Sequence, residues 1–136
     1  MTNTQRNRQV ITEAFEALSV GDPRPFVAAF ADDSTWTFPG SWTWSGSWSP
    51  KTRIVEELLR PLMAQFADRY TARADAIVAD GDHVVVQAQG GATTHAGERY
   101  DQTYCYVFRM RDGLIEEVIE HCDTALVERV LRPLVP

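Results

Sequence analysis

The chain has 136 residues, of which 44% are hydrophobic, and these numbers predict a single domain, residues 1–136, that can bury its own core. A net charge of −6 and a pI near 5.0 argue against nucleic acid as a partner, because nucleic-acid binding requires basic patches. The polar N-terminus lacks the apolar core of a signal peptide, and no apolar run approaches the roughly 20 residues of a membrane span, so we expect a cytoplasmic protein with no membrane partner.

The first third of the chain is predicted to form two helices and a strand. Apolar residues recur at helical spacing from Asn3 to Val20, and Gly21 can supply the left-handed residue that ends a helix. Asp22-Pro23 is typical of the start of a second, short helix. Ser34 to Phe38 then predicts a strand whose aromatic residues share one face.

All four tryptophans lie between Trp36 and Trp48, in and just after this strand. Aromatic side chains at this density could line the mouth of a pocket and stack on a flat ligand. They could equally be core or dimer contacts, and the sequence leaves both interpretations open.

The middle of the chain predicts a helix followed by two strands. Ser49-Pro50 can begin a helix whose apolar residues run from Ile54 to Phe66, and Pro61 should kink or divide it. Residues Tyr70 to Ala79 and His83 to Gln89 are predicted strands joined by a tight turn.

A hairpin loop is predicted next, from His95 to Glu98. If these two residues pair, Gln89 lies beside Tyr104 on the following strand. The Gly90-Gly91 pair marks a bulge or a close approach of another group to the backbone.

The stretch from Tyr100 to Thr124 predicts a long β-hairpin, because Asp112-Gly113 between alternating apolar runs is a strong turn signal. The strand pairs expected for a two-residue turn are Met110 with Ile115, Tyr106 with Ile119, Tyr104 with His121, and Gln102 with Asp123. One face is then apolar near the turn and polar at its far end, which is typical of a small-molecule pocket. A bulge near the turn would shift these partners. Ala125 to Leu131 is predicted to form a short closing helix.

The two cysteines, Cys105 and Cys122, are predicted to lie diagonally on one face of this hairpin, too far apart for an easy disulfide. We interpret them as free, small apolar residues. No spacing of His, Cys and Asp matches a zinc site, and no glycine-rich phosphate loop is present, so we expect neither a metal nor a cofactor.

This order of elements predicts an α+β fold with helices against one curved, mostly antiparallel sheet. Residues 14–41 and 100–131 resemble the opening and the closing hairpin of nuclear transport factor 2-like (NTF2-like) proteins, specifically of their SnoaL-like branch. The resemblance implies a cone-shaped sheet wrapped by N-terminal helices around an apolar pocket, and a homodimer through the sheet. The family includes polyketide cyclases, ketosteroid isomerases, limonene epoxide hydrolases and dehydratases.

The comparison with ketosteroid isomerases fails at the catalytic base, because Phe38 stands where those enzymes carry an aspartate. Polyketide cyclases resemble this chain more closely, since they carry an aspartate on the last strand. The matching residue here is Asp123, with His121 two residues earlier.

Together, these observations predict binding of a small, largely apolar cyclic or polyketide-like molecule and, if the protein is an enzyme, proton transfer next to a carbonyl. The predicted catalytic residues are Asp123 as acid or base, His121 as its assistant and Tyr104 as a donor to an oxygen. The predicted substrate-binding residues are Gln102, Phe15, Trp36, Phe38, Tyr106, Phe108 and Gln89.

Each catalytic residue also has a purely structural interpretation. Asp123 is a suitable N-cap for the last helix, and His121 and Tyr104 could be hydrogen-bonded to each other within the core. The second hypothesis is therefore a non-catalytic ligand-binding or dimerisation module of the same fold.

Overall fold

A computed structural model describes residues 1–134 and contains six strands and five α-helices. The strands are β1 Phe30–Phe38, β2 Gly46–Trp48, β3 Thr71–Asp80, β4 His83–Thr93, β5 Arg99–Arg111 and β6 Leu114–Cys122. The α-helices are α1 Asn3–Ser19, α2 Arg24–Ala28, α3 Lys51–Arg53, α4 Arg60–Met63 and α5 Thr124–Val130. No helix in this described part of the chain is long and apolar enough to cross a membrane.

The strands form one curved, unclosed sheet in the order β2-β1-β6-β5-β4-β3. All neighbours are antiparallel except β1 and β6, which run parallel. Strand β2, in the tryptophan-rich stretch, is an edge strand that was not predicted. With the N-terminal helices packed against the sheet, this arrangement confirms the predicted α+β fold.

Helix α1 begins and ends at residues whose local chemistry predicts those limits. Thr2 caps it in a reciprocal pair of hydrogen bonds with Gln5, which together satisfy two backbone donors of the first turn. Gly21 follows the helix with φ +79°, a conformation that glycine adopts without steric cost. The apolar stripe of α1, including Ile11 and Phe15, is buried against the sheet.

The predicted break near Pro61 takes the form of π-helical turns over Ile54–Leu59, between α3 and α4. The backbone N–H of Arg60 bonds to the carbonyl of Val55, one residue further back than in an α-helix. Proline cannot donate a backbone hydrogen bond and crowds the turn before it, which explains why the helix widens here.

The hairpin between β5 and β6 turns at Asp112-Gly113 as predicted, with φ values of +53° and +77°. Met110 pairs with Ile115 as predicted, but Arg109 then pairs with Glu117, so a bulge leaves Glu116 as an extra residue. Glu116 forms ion pairs with both Arg109 and Arg111, and these bonds stabilise the bulged position.

The bulge makes the rest of the predicted hairpin register wrong by one residue. Tyr106 pairs with Glu120 rather than Ile119, and Tyr104 pairs with Cys122 rather than His121. A shift of one residue moves every later side chain of β6 to the opposite face. The inner face of β6 therefore carries Val118, Glu120 and Cys122, and the outer face carries Glu117, Ile119 and His121.

The cysteine prediction changes with this register. Cys105 lies opposite the outward-facing His121, whereas Cys122 lies opposite the inward-facing Tyr104. The two residues are therefore on opposite faces of the sheet and not on one face. Both are free thiols.

The hairpin between β4 and β5 is also shifted by one residue from the prediction. Thr93 pairs with Arg99, so Gln89 pairs with Thr103 and not with Tyr104. The side chain of Gln89 is consequently exposed on the outer face, where it donates to Asp75 over 3.0 Å.

Candidate functional site

A cavity of about 480 Å³ lies between the inner face of the sheet and the helices that cover it. Its wall combines aliphatic residues of α2, the π-helical turns, α4 and α5 with aromatic residues of the strands and of the segment between β1 and β2. The aromatic wall includes Trp36, Phe38, Trp42, Trp44, Tyr104 and Tyr106. Three of the four tryptophans thus line this cavity, and two of the three, Trp36 and Trp44, are also buried core residues.

Glu120 is the only carboxyl group among the buried side chains of residues 1–134, at 6% exposure, and it lines the cavity. Burial raises its pKa to about 8, because removal from water disfavours the charged form. A hydrogen bond with the neighbouring Cys122 thiol acts in the opposite direction and is weaker. Glu120 can therefore gain or lose a proton near neutral pH.

Cys122 lies beside Glu120 on the same strand face and also lines the cavity. Burial, and next the charge of Glu120, raise the pKa of the thiol to about 12. The thiol is therefore protonated near neutral pH and is a hydrogen-bond donor rather than a nucleophile.

Glu120 was not predicted to be a site residue, because an unbroken register places it on the outer face. One signal of the bulge was present, since that register directs the charge of Glu117 inward beside Phe108. Burial of an unpaired carboxylate among aromatic rings is unfavourable, so the unbroken register is disfavoured. A bulge before Glu117 turns this side chain outward and removes the cost. The bulge then turns Glu120 inward instead, into a cavity that has room for a ligand.

Two tyrosines face each other across the cavity wall. The hydroxyl oxygens of Tyr70 and Tyr104 are 2.5 Å apart. A Cβ atom on Gly90 would lie 2.6 Å from the Tyr70 oxygen, so only glycine leaves room for this hydroxyl. The predicted close approach at Gly90 is therefore confirmed.

The hydroxyl pair leaves one proton available to a ligand. Burial raises the pKa of Tyr70, against smaller opposing effects of hydrogen bonds with Tyr104 and Tyr106, and burial also raises the pKa of Tyr104. All of these hydroxyls are thus protonated near neutral pH. In the Tyr70–Tyr104 pair one hydroxyl donates to the other, so the second hydroxyl keeps a proton that its partner does not accept and can donate it to an oxygen in the cavity.

Gln102, predicted to bind substrate, instead holds the backbone at the end of β6. It is 1% exposed, and its amide oxygen accepts from the N–H groups of Asp123 and Thr103 at 2.8 and 2.9 Å. Its amide nitrogen donates to the Asp123 carbonyl and the Tyr100 hydroxyl, both at 3.0 Å. Gln102 has no hydrogen-bonding capacity left for a ligand and does not line the cavity.

The structure does not place Asp123 or His121 at the cavity. Asp123 is exposed and caps α5, with its carboxylate accepting from the backbone N–H of Leu126 at 3.3 Å. His121 is exposed on the outer face of the sheet, opposite Cys105. The structural interpretation of Asp123 as an N-cap is the one that the geometry supports.

The other predicted wall residues divide into two groups. Trp36, Phe38, Tyr104 and Tyr106 line the cavity as predicted. Phe15 and Phe108 lie behind this wall in the core, with the Phe15 ring 5.7 Å from that of Tyr106 and 6.2 Å from that of Phe108. They support the wall without forming its surface.

Solved structures of low sequence identity share this fold. Bal32a from a soil-derived mobile gene cassette is 20% identical, with a TM-score of 0.81 over 96% of this chain and 100% of its own. A candidate SnoaL-like polyketide cyclase from Jannaschia sp. CCS1 is 15% identical, with a TM-score of 0.79 over 96% of this chain and 94% of its own. TerC, co-crystallised with polyporic acid, is 18% identical, with a TM-score of 0.76 over 92% of this chain and 97% of its own.

No curated protein matches this sequence. The family model for the SnoaL-like domain matches residues 11–118, which include the second half of α1, the cavity-lining strands β1, β3 and β5, and the bulge of the last hairpin. This match covers most of the chain and agrees with the fold of the solved structures. The chain belongs to the SnoaL-like family of the NTF2-like fold.

Proposed function

We propose that this protein binds a small, largely apolar, cyclic or polyketide-like molecule in the cavity and transfers a proton next to its carbonyl group. The observation that carries this proposal is the buried Glu120 carboxyl in the wall of an aromatic cavity that a pair of hydrogen-bonded tyrosine hydroxyls also lines. The step needs no cofactor, because only a proton moves.

Glu120 supplies the acid and base of this step. In its ionised form, the carboxylate removes a proton from the carbon next to the carbonyl, and the C–H electron pair forms a carbon–carbon double bond. Proton transfer is most efficient when the pKa of the catalytic group lies near the working pH, as the value of about 8 allows.

The Tyr70–Tyr104 pair stabilises the oxygen on which charge develops. When the proton leaves, the carbonyl oxygen becomes an enolate, and a hydroxyl donor already positioned in the cavity favours that state. The enolate then takes the proton back from Glu120 on a different carbon of the conjugated system, attacks a second carbonyl whose oxygen takes that proton, or expels a neighbouring hydroxyl that leaves with that proton as water. These outcomes are isomerisation, cyclisation and dehydration.

The shape and chemistry of the wall favour a flat ring system as the ligand. Trp36, Phe38 and Tyr106 offer aromatic surfaces on which a planar molecule can stack. Likeness to TerC, which was co-crystallised with polyporic acid, and to a candidate polyketide cyclase adds support for a cyclic ligand of this kind.

Hydrogen exchange on 2-tetralone tests the chemical step. The protein should accelerate the replacement of the protons beside its carbonyl by deuterium in D₂O, followed by proton NMR, with a rate that rises with pH toward about 8. Glu120→Gln should reduce the accelerated rate by about 100-fold or more, since general acid–base catalysis contributes at least that factor. Binding, followed by quenching of tryptophan fluorescence, should persist in this variant.

Asp123→Asn is the matched control, because asparagine caps a helix as well as aspartate does and the residue lies outside the cavity. It should leave the exchange rate unchanged. The proposal is wrong if wild-type protein neither binds nor accelerates exchange for a panel of flat cyclic ketones, or if Glu120→Gln exchanges protons as fast as wild type.

The alternative is a dimerisation module, and a specific feature of the outer face favours it. Val78, Val85, Val107 and Ile119 are successive partners across β3, β4, β5 and β6 and form a continuous apolar row on this face. A row of β-branched residues on the face of a sheet without helices is suited to packing against a second copy of the chain.

Analytical ultracentrifugation tests this alternative. Wild type should sediment as a dimer, and Val107→Glu should sediment as a monomer, because the change places a charge in the middle of the apolar row. Leu114→Glu is the control, since this apolar residue is 40% exposed at the hairpin turn, away from the row. A monomeric wild type at about 100 μM, or a dimeric Val107→Glu variant, contradicts the proposal.

A further inference from the structure

Two arginines line the cavity, and only one of them has a partner. Arg60 forms an ion pair with Glu56, one turn earlier. Arg69 has no ion pair and no side-chain hydrogen bond with any residue in the range 1–134. Because Arg69 is exposed and also lines the cavity, we place this side chain where the cavity opens to solvent.

The stem of the Arg69 side chain packs over the glycine that ends α1. A Cβ atom on Gly21 would lie only 2.1 Å from Cδ and 2.6 Å from Cγ of Arg69. The stem of the arginine therefore occupies the space that any other residue at position 21 would fill. Because the stem is packed, the side chain has less rotamer freedom to lose when it binds a ligand.

Two acidic residues that neighbour Arg69, Asp22 and Asp68, have other partners. Asp22 accepts two hydrogen bonds from the Arg24 guanidinium at 2.9 and 3.0 Å, and these bonds, with a smaller effect of Arg69, lower its pKa to about 2. Asp68 accepts from the backbone N–H of Thr93 at 2.6 Å and pairs with Arg99 at 3.7 Å. The five N–H donors of Arg69 are therefore available at the cavity mouth.

We infer that the ligand carries a carboxylate that pairs with Arg69 at the mouth while its ring system occupies the aromatic interior. This inference rests on the proposed function and names the substrate class as a flat, polyketide-like or aromatic carboxylic acid that also carries a ketone. The guanidinium matches a carboxylate with two parallel hydrogen bonds, a geometry that a lysine cannot provide. In a chain with a net charge of −6, an unpaired cation at the entrance also offsets the general repulsion of an acid.

Anthraquinone-2-carboxylate and anthraquinone-2-carboxamide form a matched pair of probes, because they share the ring system and both ketones and differ in charge. Binding is measured for each at pH 7 and low salt by quenching of tryptophan fluorescence. Wild type should bind the carboxylate about 10-fold more tightly than the carboxamide, which is the effect of a modest charged hydrogen bond. This preference should shrink in high salt, since the arginine is exposed.

Arg69→Gln should lose about 10-fold in affinity for the carboxylate and bind the carboxamide as wild type does. Arg69→Lys should retain part of the preference for the carboxylate, because the positive charge remains while the two parallel N–H donors of the guanidinium are lost. Arg60→Gln is the matched control, since Arg60 lines the same cavity but is already paired, and it should keep the full preference.

Equal affinity of wild type for the two probes, or an unchanged preference in Arg69→Gln, overturns this inference and leaves the proposed function intact. If neither anthraquinone binds wild type at the highest soluble concentration, the inference fails, and the proposed function fails with it only if the panel of cyclic ketones shows neither binding nor accelerated exchange.

Discussion

Replacing Glu120 with glutamine is expected to stabilise the folded protein at high pH and to remove most of the pH dependence of its stability. The pKa of Glu120 rises from 4.5 to about 8 in the folded state, so the folded protein binds one more proton than the unfolded chain between these values. The free energy of unfolding of wild type therefore falls as pH rises through this window. Glutamine has no proton to lose and should abolish the fall, which is on the order of a few kcal/mol.

Urea denaturation at intervals from pH 5 to 9 measures this effect directly. Glu117→Gln is the control, because Glu117 is three residues away but faces outward and pairs with Arg109 at 3.6 Å. Its stability curve should retain the wild-type fall. A wild type that is as stable at pH 9 as at pH 6 would show that Glu120 is not buried with a raised pKa.

Replacing Gln102 with leucine is expected to lower the free energy of unfolding by about 2–4 kcal/mol. The change removes a buried amide that satisfies both backbone groups of Asp123 and the hydroxyl of Tyr100. A buried donor or acceptor left without a partner costs about 1–3 kcal/mol. Because Asp123 begins α5, which covers the cavity through Val127, ligand binding should weaken as well.

Gln89→Leu is the matched control in urea denaturation for this second prediction. Gln89 lies on the neighbouring strand, but its amide is exposed on the outer face and bonds only to Asp75. Surface changes of this kind usually alter stability by about 0.5 kcal/mol or less. Similar losses in the two variants would mean that the buried bonds of Gln102 do not hold the end of β6.

The family motifs at the two ends of the chain were enough to predict the fold, and local signals placed most of its elements. The glycine after α1, the Asp-Gly turn and the alternation of apolar residues in β5 each act over a few residues, and the structure agrees with all three. The wall residues Trp36, Phe38, Tyr104 and Tyr106 were predictable for the same reason, because their inward direction follows from strand alternation.

The identity of the candidate acid and the meeting of the two tyrosine hydroxyls depended on contacts between residues that are far apart in the chain. The ion pairs of Glu116 with Arg109 and Arg111 stabilise a bulge, and one extra residue there exchanges His121 for Glu120 at the cavity. Tyr70 reaches Tyr104 only because Gly90, on the strand between them, leaves space for its hydroxyl.

The sequence by itself thus determined the fold class, the inward face of β5 and the turn at Asp112-Gly113, since these follow from local backbone preferences and side-chain periodicity, and it left the cap at Asp123 as one of two interpretations. Only the tertiary structure decided which carboxyl is buried, which hydroxyls meet and which arginine remains unpaired. Those outcomes depend on strand register and on space between elements that are far apart in the chain, and neither quantity is encoded within a short segment.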